Sequence, residues 1–258
     1  MNKPTLFKPL RFYLMVRNTI WLKRWKILLI SATVGTLVVL ICGVAASQRT
    51  GTILHQVLYP FFLYGSGFIV TARAFQELDD IKTAGTWLMI PASTFEKFSS
   101  RLFLTSFGYV AGSMLVYFIV TIISKGLNQM IFGFSHPLFN PLDPWVRYSA
   151  GLYLVLQSVF LVGAIYFRRF AYVKTILFLS LLILVFSIGF FVMFKWILGD
   201  NIRALLSGEY LISWELLSMK WAGQIRDTLS FCMRIGFWGI LAPLCYVITY
   251  FRLKEIEA

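Results

Sequence analysis

Long apolar runs alternate with short polar stretches along this 258-residue chain. An α-helix needs about 20 apolar residues to cross the hydrocarbon core of a bilayer. The stretches that meet this length are residues 27–46, 53–72, 102–124, 148–167, 175–194 and 235–251. The second contains His55 and Pro60, and the sixth is short and contains Pro243. The pattern predicts an all-α polytopic membrane protein with six transmembrane helices, formed by a single transmembrane domain over residues 1–258.

Composition and charge agree with a membrane protein. Hydrophobic residues make up 59% of the chain and charged residues 14%, whereas soluble domains are roughly half apolar and about a quarter charged. The net charge of +13 would suit a nucleic-acid partner in a soluble protein. In a membrane protein, Lys and Arg instead mark the cytoplasmic side. Most of the 24 Lys and Arg fall on one side if both termini are cytoplasmic, which predicts N-in and C-in topology, contact with membrane lipid and no nucleic-acid partner.

Residues 1–26 precede the first apolar run and carry a partly amphipathic helical pattern. Leu6, Leu10, Tyr13 and Ile20 fall on one side of a helical wheel, and polar or basic residues such as Lys8 fall on the other. The pattern predicts an interfacial helix lying along the inner surface, with its apolar face in lipid and its basic face toward anionic headgroups. The alternative is an ordinary basic flank with aromatic anchors.

Residues 199–231 form a long segment before the last apolar run. Leu217, Trp221, Ile225 and Leu229 recur at intervals of four, which is a helical period with a polar opposite side. We expect outer helices here that lie on the membrane surface or re-enter the membrane.

The stretch GTWLMIPASTFEKFSSR, residues 85–101, carries a helix-start signal between the second and third apolar runs. Ser93 and Glu96 fit the S-x-x-E capping box, in which each residue's side chain bonds the other's amide. Pro91 disfavours helix at the residue before it. A helix is therefore predicted to begin near Thr94 and to continue into the third span.

The preceding stretch RAFQELDDIKTAG has the pattern of a short amphipathic helix. Phe75, Leu78 and Ile81 can share one side, while Asp79 and Asp80 face away. Arg73 and Glu77 are spaced as an i,i+4 ion pair, and Gly85 is placed as a helix C-cap. Such a helix over residues 73–84 suits either a solvated loop or a docking element for a cytoplasmic partner.

The segment GTWLMIPASTFEKFSSRLF resembles the stretch that follows the second span in permeases of type-2 ABC exporters (the ABC-2 class). Gly85 and Thr86, the apolar run 88–90, Pro91, Ser93 and the charged run 97–101 match that pattern in order and spacing. The variant PAS-x-x-EKF is similar to permeases from Bacteroidota-like bacteria. One departure is Ala84, where family members often have an acidic residue.

The resemblance implies a permease subunit in the bacterial inner membrane. Two permease chains, identical or paralogous, would form the translocation path, and the first cytoplasmic loop (residues 73–101) would dock on an ABC ATPase subunit. Short re-entrant helices would fall in residues 199–231. The implied ATPase-coupling residues are Phe75, Glu77, Leu78, Asp79, Asp80, Ile81 and Lys82. The implied supporting residues of the coupling region are Gly85, Thr86, Pro91, Ser93, Glu96, Lys97 and Arg101.

No G-x-x-x-x-G-K-[ST], H-E-x-x-H or G-x-S-x-G motif occurs in the chain. We therefore expect no catalytic, cofactor-binding or metal-binding residue on it; the chain would not itself be an enzyme, and ATP and Mg would bind a partner subunit of a transporter that hydrolyses ATP as an assembly. His55 is expected at the interface, and the adjacent Asp79 and Asp80 are expected to be solvated. Ion-coupled carriers use ionisable residues inside the membrane, and these are scarce here. A non-transport membrane scaffold or assembly factor is the alternative.

Overall fold

The computed structural model describes residues 7–47, 52–133, 137–167, 169–198, 231 and 234–257. Within these ranges the chain forms helices and no strand. The helices are α1 (Pro9–Ser47), α2 (Thr52–Ala72), α3 (Ile81–Leu88), α4 (Thr94–Phe103), α5 (Tyr109–Phe132), α6 (Pro144–Phe167), α7 (Ala171–Leu198) and α8 (Leu241–Glu257). A 3-10 turn spans Gln76–Leu78, and π-helical turns at Leu104–Gly108 and Gly236–Ile240 lead into α5 and α8.

Five helical stretches within the described ranges are long and apolar enough to cross a membrane. They are Ile27–Val44, Thr94–Ile131, Pro144–Phe167, Ala171–Met193 and Gly236–Glu257. The prediction of an all-helical fold is thus confirmed in the described ranges, and the five apolar helices are compatible with a multi-pass membrane protein. Helix α2, which contains His55 and Pro60, forms where the second span is predicted, but it is not among these five stretches. That α2 also crosses the membrane, for a total of six spans, therefore stays a prediction.

The N-terminal region is one unbroken helix, and the predicted boundary at residue 26 is absent. Helix α1 has 39 residues and is therefore about 58 Å long, roughly twice the thickness of the hydrocarbon core. No Pro or Gly follows Pro9 until Gly35, so nothing in the chain breaks the helix between its basic half and its apolar half. Residues 1–6 of the predicted interfacial segment lie outside the described ranges.

Helices α1 and α4–α5 run side by side in the same direction. The backbone N–H of Lys8 donates to Glu96 Oε1 at 2.6 Å, and the rings of Phe12 and Phe103 lie 5.9 Å apart. Further along, Gly35 lies against Val120. The basic half of α1 is thus packed along α4, which is a protein contact that a helix lying freely in the lipid interface would not make.

The described ends of the chain meet at one end of the bundle, which we call the terminal end. The Lys8 amide donates to Glu96 there, and the Glu257 carboxylate pairs with Lys97 at 3.1 Å. Glu96 and Lys97 are neighbours at the start of α4. The two described ends, at Lys8 and Glu257, consequently lie on the same side of the structure.

At the opposite end, residues 133–143 connect α5 to α6. Helix α5 continues to Phe132 and ends at Gly133, whose φ of 69° is the left-handed conformation of a helix C-cap. Asp143 Oδ1 accepts the Trp145 amide at 2.8 Å, and Pro144 opens α6 at a position where its missing N–H costs nothing.

Two clusters form the core. The first lies between α1, α2, α5 and α6 and includes Val38, Leu63, Tyr117 and Tyr153. His55, expected at the interface, is buried beside this cluster; its ring nitrogens lie 3.1 Å from Tyr117 Oη and 3.1 Å from the Pro137 carbonyl oxygen. The second cluster lies at the terminal end and contains Ala74, Phe75, Leu78, Trp87, Phe98, Leu161, Ala164, Ile165 and Leu253. This second cluster joins the α2–α4 connection to α6 and α8.

Candidate coupling surface

The connection between α2 and α4 folds as two short elements, not as the single helix predicted over residues 73–84. The 3-10 turn ends at Leu78, Asp80 is extended, and α3 then runs from Ile81 to Leu88. Gly85 lies inside α3, and its φ is not positive, so the predicted C-cap is wrong. The chain turns only at Met89–Ala92, immediately before the start of α4.

Two of the three apolar residues predicted to share one side, Phe75 and Leu78, face the protein's own core. Phe75 and Leu78 are 2% and 6% exposed and belong to the same cluster as Leu161 and Leu253. They therefore anchor the connection to α6 and α8, and they are not available to a partner as a docking face. The side chains of Ile81 and Lys82 lie outside the described part of the structure.

Glu77 connects three elements through its carboxylate. Its Oε1 lies 3.1 Å from Arg101 Nη2 and 3.3 Å from Lys23 Nζ. The partner predicted for it from helical spacing, Arg73, is exposed and does not form that ion pair. Because Glu77 sits in the 3-10 turn, Lys23 in α1 and Arg101 in α4, the two ion pairs fix the turn against both long helices.

Trp87 lies between two cations at the base of α4. The Arg101 guanidinium is 4.8 Å from the centre of the indole ring and the Lys97 ammonium is 5.7 Å from it. The indole N–H donates to Glu257 Oε1 at 3.2 Å, and the same oxygen pairs with Lys97 at 3.1 Å. Helix α3 is thereby attached through one buried ring to α4 and to the end of α8.

The predicted capping box is present at the start of α4. Ser93 Oγ accepts the Glu96 amide at 3.2 Å, and Glu96 Oε2 accepts the Ser93 amide at 2.9 Å. The side chain of Glu96 is fully buried, and its other oxygen accepts the Lys8 amide. One carboxylate therefore caps α4 and holds the N-terminal segment of α1.

The surface of α3 and its flanking residues that turns away from the core is exposed; it is polar at its start and apolar at its end. Asp79, Asp80, Thr83 and Thr86 are exposed, and the two threonine hydroxyls donate to backbone carbonyls of Asp80 and Thr83. Leu88 and Met89 at the end of the helix are 46% and 84% exposed. We call these six residues the α3 tip. Pro91, in the turn that follows, is exposed as well.

The charged side chains Glu77, Lys97 and Arg101 are engaged in ion pairs, and in the described part of the chain no three His, Cys, Asp or Glu side chains group as metal ligands do. The surface that this site exposes to another molecule is the α3 tip, and the ion pairs and apolar contacts of the connection hold it in place.

Sequence reasoning missed Lys23, Trp87 and Glu257 as members of this site. Lys97 and Glu257 are 160 residues apart in the chain, so no local spacing connects them. The local signal for a role of Trp87 was its large aromatic side chain within a short, charged connection.

Comparison with protein-family models, with curated proteins and with solved structures found no match. The resemblance to type-2 ABC permeases therefore stays a prediction from the residues of this chain.

Proposed function

We propose that the chain is the permease subunit of an ATP-driven exporter of the type-2 ABC class, in the inner membrane of a bacterium. The observation that carries the proposal is the α3 tip, an exposed surface whose connection is bound to α1, α4, α6 and α8. It lies within the segment whose sequence resembles the coupling region of that class. In this proposal α2 also crosses the membrane, which brings the number of spans to six. Both termini are cytoplasmic, which fits the position of the described chain ends at one end of the bundle.

A force on the α3 tip has two routes into the spans. The ion pairs of Glu77 pass it to α1 and α4, and the cluster of Phe75, Leu78 and Trp87 passes it to α6 and α8. The apolar cluster is buried and moves as a unit, since packed interiors are dense and deform little. Closure of two ATPase subunits on ATP would thus tilt several spans together. ATP and Mg would bind the partner, and this chain would carry out no covalent step.

The π-helical turn at Leu104–Gly108 is a suitable place for such motion to be absorbed. It begins three residues after Arg101, and π-turns interrupt the regular hydrogen bonding of a helix, often at functional positions. Thr105 in this turn accepts the Tyr153 hydroxyl on its carbonyl at 2.9 Å and the Gln157 amide on its Oγ1 at 2.9 Å. Both partners are on α6, so α4 and α6 are linked at the point where α4 becomes α5.

Helix α7 offers the surface for a second permease chain. Its described side chains beyond Thr175 are almost all exposed and apolar, and a helix that is hydrophobic on all sides needs lipid or another chain around it. A dimer of permeases, identical or paralogous, would cover part of this surface and form the translocation path.

The test is co-purification of an ATP-hydrolysing subunit from the native host with the tagged full chain. Met89→Asp places a charge on the α3 tip and is expected to abolish the association, because an apolar contact cannot bury an unpaired carboxylate. Met130→Asp is the matched control, since Met130 is 88% exposed and lies near the far end of α5. Association lost in both variants, or retained in both, contradicts docking through the α3 tip. If no ATP-hydrolysing protein associates with the wild-type chain, the transport proposal fails.

A further inference from the structure

Arg24 rests against two tryptophans where the basic half of α1 meets its apolar half. Its guanidinium carbon lies 3.9 Å from the ring centre of Trp21 and 5.8 Å from that of Trp25, and all three side chains are exposed. In the described ranges the neighbouring Lys23 is paired with Glu77, whereas Arg24 forms no ion pair. The rings hold the Arg24 cation, and no carboxylate of the described residues pairs with it.

An apolar groove opens between α1 and α5 within the charge-free part of α1. Its volume is about 300 Å³, and it is lined by Ser31, Ala32, Gly35 and Thr36 of α1 and by Val120 and Ile123 of α5, among others. Small side chains on α1 create the space. Gly35 brings the two helices together at its floor, because a Cβ there would lie only 3.1 Å from Val120 Cγ2.

The cation and the groove are aligned along one face of α1. Residues 24 and 31 are seven positions apart, which is two helical turns or about 10 Å along the axis. Residues at this spacing lie on the same side of a helix. A molecule with an anionic head and an apolar tail can therefore contact Arg24 and the groove at once.

We propose that this face of α1 and α5 binds one anionic phospholipid, with its phosphate at Arg24 and an acyl chain in the groove. Tryptophans concentrate at the headgroup level, and a guanidinium donates to phosphate oxygens in a planar, bidentate manner. A second copy of the chain is the rival occupant, since small residues also favour close packing of helices. A symmetric contact between copies on this face would bring two Arg24 clusters of like charge together, which favours the lipid. The proposal is independent of the transport function.

The headgroup contact is tested with the full chain in mixed micelles of phosphatidylglycerol and phosphatidylcholine, by counting retained lipid with native mass spectrometry. We expect preferential retention of phosphatidylglycerol, reduced about fivefold in Arg24→Gln, as for the loss of one basic side chain at an anionic surface. Arg17→Gln removes the same charge two turns farther from the apolar half and should leave retention unchanged. No preference in the wild type, or equal losses in the two variants, overturns the site.

The acyl-chain contact is tested by filling the groove. Ala32→Phe places a ring in it and should lower retention of phosphatidylglycerol, while Thr33→Phe adds the same ring to an exposed neighbour that does not line the groove and should not. Unchanged retention in Ala32→Phe overturns the assignment of the groove. If Ala32→Phe instead converts a dimer to a monomer at constant lipid retention, the occupant is a second copy and the proposal is wrong.

Discussion

Glu77 and Arg101 are 24 residues apart in the chain, and Arg101 Nη2 donates to Glu77 Oε1 at 3.1 Å, where the connection after α2 contacts α4. Arg101 is almost fully buried, and Lys23 of α1 approaches the same carboxylate oxygen. A charge in such a position depends on its partner, because burying an unpaired ion costs much more than burying a pair.

Replacing Glu77 by Ala is expected to destabilise the protein by about 2 kcal/mol, less than the 3–5 kcal/mol of a fully buried pair because Glu77 is partly exposed. Thermal unfolding in detergent, followed by circular dichroism, measures the change. Glu255→Ala is the control, since the Arg252–Glu255 pair at 2.7 Å lies at the surface and surface pairs contribute less than about 1 kcal/mol. Equal effects of the two substitutions would show that the Glu77 pair does not brace the base of α4.

The capping box gives a second expectation. Ser93→Ala removes the acceptor for the Glu96 amide and should cost about 1 kcal/mol of stability, as helix N-caps do, whereas Ser93→Asp should retain the cap. Ser99→Ala is a matched change within the same helix, because Ser99 Oγ donates only to the Glu96 carbonyl. Chemical denaturation in detergent distinguishes them, and a Ser99 variant as unstable as the Ser93 variant would contradict the role of the cap.

The capping box was predictable because all of its atoms belong to residues 93–96. The long apolar helices were predictable as well, because length and composition alone make them long and apolar enough to cross a membrane. By contrast, the three apolar residues Phe75, Leu78 and Ile81 indicate a shared side but not what that side meets. The structure places Phe75 and Leu78 against α6 and α8, so the exposed surface moves to the α3 tip.

The ion pairs of the site could not be predicted for a related reason. Helical spacing suggested Arg73 as the partner of Glu77, since that rule considers one helix alone. The chain forms a 3-10 turn there, and helix packing brings Lys23 and Arg101 to the carboxylate. The boundary expected at residue 26, between an interfacial helix and the first span, was wrong for a similar reason. A change from basic to apolar composition marks a membrane boundary, but without Gly, Pro or a cap it does not end a helix.

Gly163 gives a test of the packing between α6 and α7. A Cβ at this position would clash with Thr175 Oγ1, so Gly163→Ala forces the helices apart and should destabilise the protein by about 1–3 kcal/mol, as overpacking does. Gly112→Ala has no atom within 4 Å of the new Cβ and should be neutral or stabilising, since Ala favours helix over Gly. Unfolding midpoints in detergent compare the two, and a stable Gly163→Ala variant would contradict the close approach of α6 and α7.

Trp87 and Glu257 give the most direct test that α3 is tied to the end of α8. Trp87→Phe keeps an aromatic ring beneath Arg101 but removes the N–H that donates to Glu257 Oε1. Glu257→Gln keeps an acceptor at that position but removes the charge that pairs with buried Lys97. The Glu257 variant should therefore be the less stable of the two, because it leaves a cation that is 3% exposed without its carboxylate.

The double-mutant cycle separates the direct link from the shared surroundings. A cycle of Trp87→Phe with Glu257→Ala removes the hydrogen bond in each single variant. If the two residues interact through that bond, the two losses will not add, and the coupling free energy should be about 0.5–1.5 kcal/mol. Each stability is measured by denaturant unfolding in detergent, with Trp87→Phe combined with Glu255→Ala as the reference pair, since Glu255 bonds to Arg252. Additive losses in the Trp87–Glu257 cycle would mean that α3 is held by the apolar cluster alone, and a force on the α3 tip would then reach α8 through Leu253 and not through its last carboxylate.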